Sequence, residues 1–137
     1  MKIMITGGLG FVGSHLAEEF SKNGHNITIL SRSLKKKSNI QPKKKIKIEK
    51  INVTNFKQLS NSIDKNKPDL IIHLAGETSH SKSFENPIDD MDSNSKSTLF
   101  ILEKIKKMKR KCAFVLGSTF IVVGKPNKLP VTEDTPC

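Results

Sequence analysis

A doubly wound parallel α/β sheet, ordered 3-2-1-4-5, is the fold this sequence predicts. Three observations lead there. Apolar residues fall in short runs that alternate with helix-length segments along the chain. A glycine-rich turn, Thr6-Gly7-Gly8-Leu9-Gly10-Phe11-Val12-Gly13, directly follows the first apolar run. A second buried-type strand comes at the distance one crossover helix requires. Strands alternating with helices argue for a parallel sheet covered on both faces. Right-handed crossovers then favour the 3-2-1-4-5 order.

Each element has a local reason. Residues 2–6 are a short apolar strand ending at the glycines. Residues 14–23 read as a helix with Leu16, Ala17 and Phe20 on one face, stopped by Gly24. Residues 27–30 form a second buried strand, and 31–44 a Lys- and Ser-rich connection with a weak helical turn at most. Residues 45–51, Lys-Ile-Lys-Ile-Glu-Lys-Ile, alternate with a period of two, as in a strand with one exposed face. Asn55 is a helix cap, and Phe56, Leu59 and Ile63 follow at helical spacing to about Lys65. Pro68 precedes a strongly apolar strand at 69–75. Residues 88–109 predict one long helix whose first half, with Asp89, Asp90, Asp92, Ser93 and Asn94, is unusually polar. Residues 112–117 are the fifth strand, followed by more apolar residues and a Pro-rich, loop-like tail.

At 137 residues the chain is one domain by size, large enough for a single core. No apolar stretch approaches the roughly 20 residues of a membrane-spanning helix. The amino terminus lacks the apolar length and cleavage site of a signal peptide. Cys112 and Cys137 make no metal or disulfide pattern. A reduced, cytoplasmic protein without a membrane partner is expected. The net charge of +11 raises the question of nucleic acid. However, only Arg32 and Arg110 are Arg, the residue suited to bidentate phosphate and base contacts, and the lysines are spread along the chain. The expectation is a solvated Lys-rich surface and no nucleic-acid partner. The short cation runs at 35–37 and 43–45 stand apart from that spread.

The glycines carry the chemistry. Gly8-x-Gly10-x-x-Gly13 and Gly7-x-x-Gly10-x-x-Gly13 both match dinucleotide-binding turns. Such a turn needs left-handed backbone, bare main chain against a pyrophosphate and close helix–strand packing. The helix behind it aims free amides at the phosphate. At the end of the second strand a carboxylate would select NAD through the ribose 2′-hydroxyl, and an Arg would accommodate the 2′-phosphate of NADP. Here the strand ends Ser31-Arg32, with Lys35, Lys36 and Lys37 following, so the reading is NAD(P) with a lean to NADP.

These residues resemble the extended short-chain dehydrogenases, or NAD-dependent epimerases/dehydratases, which act on nucleotide sugars on a Rossmann fold. The resemblance runs the length of the chain. It implies a cofactor turn at Gly7, Gly10, Phe11, Val12 and Gly13, with Asn52 and Val53 against the adenine. Asn52 stands where the family usually has Asp, keeping an acceptor and losing the charge. The segment 68–76 is similar to the family's fourth strand and puts Leu74, Ala75 and Gly76, then Thr78, beside the cofactor. His73 reads as a packed or hydrogen-bonded histidine without a catalytic role. Asn86-Pro87, Asn94 and Thr98-Leu99 resemble the family's "NP…N…GT" helix, with Ser97 in place of Gly. That likeness implies Asn94 near the cofactor and a homodimer through the helix around 88–109. Gly117 to Gly124 is similar to the "SS(S/T)xxVYG" segment, with Val123 in place of Tyr. Thr119 falls where a hydroxyl meets the reacting sugar oxygen, supported by Ser118.

In that family the base is a Tyr with a Lys four residues later, and this chain contains no Tyr. A free Tyr has a pKa near 10, so the family's Lys and bound cofactor must favour the phenolate. The expectation is therefore the cofactor-binding part of a nucleotide-sugar epimerase or dehydratase, stopping before the catalytic helix and the substrate domain and inactive alone. The fifth strand would be an open sheet edge. The alternative is a non-catalytic dinucleotide-binding redox sensor.

Overall fold

The computed structural model describes residues 1–36, 39–41 and 45–136. Lys37, Lys43, Lys44 and Cys137, all noted above, lie outside the described residues. Five parallel strands form one sheet in the order β3-β2-β1-β4-β5. They are β1 (Lys2–Thr6), β2 (Asn26–Ser31), β3 (Ile46–Lys50), β4 (Leu70–His73) and β5 (Ala113–Leu116). The helices are α1 (Phe11–Lys22), α2 (Phe56–Asn66), α3 (His80–Glu85), α4 (Pro87–Met91) and α5 (Ser97–Lys106).

Alternation along the central strands divides the core between two faces. Ile3 and Ile5 of β1 and Ile27 and Ile29 of β2 pack with Ala17, Leu16 and Phe20 of α1. Met4, Leu30 and Ile71 point the other way, onto Leu59 and Ile63 of α2 and Ile101 of α5. Each such fully buried side chain contributes about 1.5–3 kcal/mol relative to exposure. Across the second face, Phe56 and Phe100 stack with ring centroids 4.7 Å apart. The sheet is thus wound on both sides, and every strand delivers its carboxyl end to one edge.

The local signals act as expected at several ends. The Asn55 side chain accepts the Gln58 amide at 3.1 Å and caps α2. Gly24, at φ +87°, lets the chain leave α1. The long helix differs from its sequence reading. It runs from Pro87 to Lys106, but its polar stretch Asp92–Lys96 is a π-helical turn between α4 and α5. Wider i→i+5 winding resets which residues face the sheet. Helix α3 and the 3₁₀ turn at Phe120–Val123 were not signalled by apolar periodicity, because neither has room for a repeating stripe. At the sheet edge, Val115 and Leu116 of β5 are about half exposed.

Candidate functional site

The turn between β1 and α1 is set by backbone. Gly7 has φ +68°, and its amide donates to Leu30 O at 2.9 Å, tying the turn to β2. Gly10 then donates to Gly7 O at 2.8 Å. A Cβ on Gly13 would come within 2.7 Å of both Gly7 O and Gly8 Cα, so only Gly lets α1 close onto the turn. Gly10 caps α1 without a side-chain hydrogen bond, and the first turn carries no acid. The opening amides of α1 are therefore left for an incoming anion.

Beyond the strand ends lies a cavity of ≈ 440 Å³, within the usual range for small-molecule sites. The turn contributes Gly7, Leu9 and Gly10 to its wall. The end of β2 contributes Leu30, Ser31 and Arg32, then Lys35 and Lys36. Ile51, Asn52 and Val53 follow β3, and Leu74, Ala75, Gly76 and Thr78 follow β4. No carboxylate lines it among the described residues, and its cations gather at the β2 end. Two of the predicted polar groups are turned to local work: Ser31 Oγ donates to Ser33 O at 2.8 Å, and Asn52 Oδ1 accepts the Thr54 amide at 3.3 Å.

Other predicted residues sit differently. Phe11, Val12 and Gly13 belong to the start of α1 and do not line the cavity; Phe11 and Val12 are exposed. Asn94, in the π-helical turn, clamps main chain: its Oδ1 accepts the Glu77 amide at 2.8 Å and its Nδ2 donates to Glu77 O at 3.2 Å. Its neighbour Ser93, which was not among the predicted site residues, reaches the cavity wall. Ser118 and Thr119 are exposed beyond β5, outside the lining residues. Thr119 Oγ1 accepts the Ile121 amide at 3.2 Å, capping the 3₁₀ turn.

Beneath the cavity runs a buried polar chain. Thr6 Oγ1 lies 2.6 Å from His73 Nδ1, and His73 Nε2 lies 3.0 Å from Ser97 Oγ. The Ser97 hydroxyl donates to Ser93 O at 2.6 Å, so it accepts from His73, whose proton is then on Nε2. His73 Nδ1 accepts the Thr6 hydroxyl proton, and Thr6 Oγ1 in turn accepts the Leu74 and Ala75 amides. Every member has its partner, and the main chain lining the cavity after β4 hangs from this chain. Burial pushes the His73 imidazole down to about 4. As expected from sequence, His73 is a hydrogen-bonded core residue. Its link to Ser97, the residue in place of the family's Gly, needed the fold.

A sequence model of the NAD dependent epimerase/dehydratase family matches residues 3–137. The chain belongs to this family. Among its curated relatives, the chain is 33% identical over 141 residues to a UDP-glucose 4-epimerase of Neisseria meningitidis serogroup B, covering 98% of this chain and 41% of that one. It is 35% identical over 133 residues to a UDP-N-acetyl-alpha-D-glucosaminuronate decarboxylase of Bacillus cytotoxicus, covering 97% and 40%. The chain thus spans about two fifths of the length of these relatives. Among solved structures, the epimerase Mth375 of Methanothermobacter thermautotrophicus superposes with TM-score 0.84 at 29% identity, over 98% of this chain and 40% of that one. The UDP-glucose 4-epimerase of Bifidobacterium longum, in complex with NAD+ and UDP, superposes with TM-score 0.82 at 28% identity, over 99% and 42%.

A second cavity, of ≈ 320 Å³, lies between the carboxyl ends of α2 and α5, at the opposite end of the sheet. Lys67 and Lys107 on its wall are the C-caps of those helices, where cations offset the helix dipoles. Among the described residues no helix is long and apolar enough to cross a membrane, and no cluster of metal-ligating side chains occurs.

Proposed function

We propose that these residues are the NAD(P)-binding portion of a nucleotide-sugar epimerase or dehydratase. The observation that carries the reading is the uncapped start of α1 at the glycine turn, opening on the cavity past the strand ends. Its chemistry fits a dinucleotide in three parts. Bare amides at Phe11 to Gly13 suit the pyrophosphate. Ile51, Val53 and Leu30 offer apolar surface to a flat base, with Asn52 beside it for a polar edge. Arg32, Lys35 and Lys36 stand at the ribose flank, which supports a lean toward the 2′-phosphate of NADP. The solved relatives above include one with NAD+ bound.

In the parent enzyme this chain's residues would bind and orient. When bound, the nicotinamide supplies a hydride acceptor. Thr119, with Ser118 supporting it, would present its hydroxyl to the reacting sugar oxygen after turning from the Ile121 amide. The proton-accepting Tyr and its Lys would come from outside these 137 residues, which hold no Tyr. The helical run around 88–109 exposes Ile88, Met91, Leu99 and Leu102, which supports pairing of two copies there.

Isothermal titration of NAD and NADP into the chain tests the binding reading. One-to-one binding with the NADP constant tighter than that of NAD is expected; no heat with either at millimolar concentration would sink it. Loss of UDP-sugar turnover in the full-length parent on Thr119→Ala separates the enzyme from a redox sensor, which would bind cofactor and turn nothing over.

A further inference from the structure

The ribose flank of the cleft is met by a carboxylate from across the sheet. Glu77 follows β4, and Asn94 holds its main chain from both sides, donating to its carbonyl and accepting from its amide. The side chain is held as well. Its Oε1 accepts the Thr78 and Ser79 amides at 3.1 and 3.2 Å. Those bonds, the Ser79 amide foremost, with Lys82 and Arg32 adding attraction, hold the carboxyl below the usual carboxylate value. That leaves Oε2 as the free face of a fixed anion. It points at the Arg32 guanidinium, 3.7 Å away, and at Lys82, 3.9 Å away.

Arg32 borders two spaces. One is the cleft proper, which has no carboxylate among its described lining residues. The other is an adjoining cavity of ≈ 270 Å³, where Glu77, Asp89, Asp90 and Asp92 gather. Arg32 is 66% exposed and free to swing, whereas Glu77 is 18% exposed and anchored. The mobile partner is therefore the cation, and the anchored anion decides where it rests.

We propose that Glu77 sets cofactor selectivity in this cleft by competing with the 2′-phosphate of NADP for the Arg32 guanidinium. This rests on the dinucleotide reading above and deepens it. NADP must draw Arg32 off Glu77 and bring its phosphate toward an anion that cannot retreat; NAD meets neither demand. The preference for NADP that Arg32 confers is held down by Glu77, and a carboxylate acts at the ribose although the β2 end has none.

Titration calorimetry of NAD and NADP into the wild-type chain, Glu77→Gln, Arg32→Ala and the double variant tests this. Gln keeps the oxygen that accepts the Thr78 and Ser79 amides and removes only the charge. Glu77→Gln should tighten NADP about fivefold, the scale of one exposed ion pair, and move NAD less than twofold. In the Arg32→Ala background that selective gain should vanish. Equal changes for NAD and NADP, or an unchanged gain without Arg32, would overturn the proposal while leaving the dinucleotide reading intact. A wild-type chain that binds neither nucleotide would remove both. Should Glu77→Gln not fold, Glu77→Asp, which withdraws the charge by one methylene, must still shift the ratio of the two constants toward NADP.

Discussion

His73 accepts the Thr6 hydroxyl at 2.6 Å and donates to Ser97 at 3.0 Å, joining β1, β4 and α5 through one buried imidazole. Each end of the relay is bonded to main chain of the cleft wall: Thr6 carries the amides of Leu74 and Ala75, and Ser97 donates to the Ser93 carbonyl. The relay makes the geometry of the site sensitive to one protonation event.

That event gives a pH prediction. The folded His73 value is about 4, below the ordinary 6.5, so between these values the unfolded chain binds more protons. Stability is therefore full above about pH 6.5 and falls as pH drops toward 4. The loss should reach about 2 kcal/mol by pH 5. Glu49 and Asp69, also lowered, contribute only further down, as pH falls through the carboxylate range. Urea unfolding at pH 7.5, 6 and 5 should show this slope, and His73→Asn should flatten it.

Gly13→Ala places a methyl 2.7 Å from Gly7 O and Gly8 Cα, both main chain that cannot step aside. The helix must move off the turn. A loss of about 1–3 kcal/mol is expected, with dinucleotide binding weakened at least tenfold because the amides of α1 shift. Denaturant midpoints and calorimetry on the same variant check both.

Asn94→Ala removes both hydrogen bonds to Glu77 main chain and the bond to Asp90 Oδ1 at 3.0 Å. A stability loss of about 1–3 kcal/mol follows. The sharper readout is hydrogen exchange. The Glu77 amide should lose protection in the variant, while the amides of β1 keep theirs. Unchanged exchange at Glu77 would show that the clamp does not hold the loop.

Asn55→Ala deletes the α2 cap, whose side chain accepts the Gln58 amide. The cost should be about 1 kcal/mol, and Asn55→Ser should recover most of it. Thermal unfolding of the three proteins measures this directly.

The sheet was legible because its signals are local. The short apolar runs, the glycine turn, Asn55 and Gly24 each act on neighbours a few residues away. The cleft wall followed from them, since a parallel sheet brings every strand end to one edge. Gly7, Ser31, Asn52 and Ala75 therefore line one cavity. What escaped was pairing across distance. Asn94 holds the Glu77 main chain, 17 positions away, from the π-helical turn at Asp92–Lys96. That winding has no signature in apolar spacing, since the segment is polar throughout.

The sequence by itself determined the strand order, the two-faced core and the anion-ready start of α1, all consequences of periodicity and of glycine's conformational range. Tertiary structure decided the proton on His73 Nε2, the clamp of Asn94 on Glu77 and the approach of Glu77 to Arg32. Those relations join residues 24, 17 and 45 positions apart. A hydrogen bond or ion pair depends on ångström separation, which the chain acquires only when the packed sheet brings distant segments together.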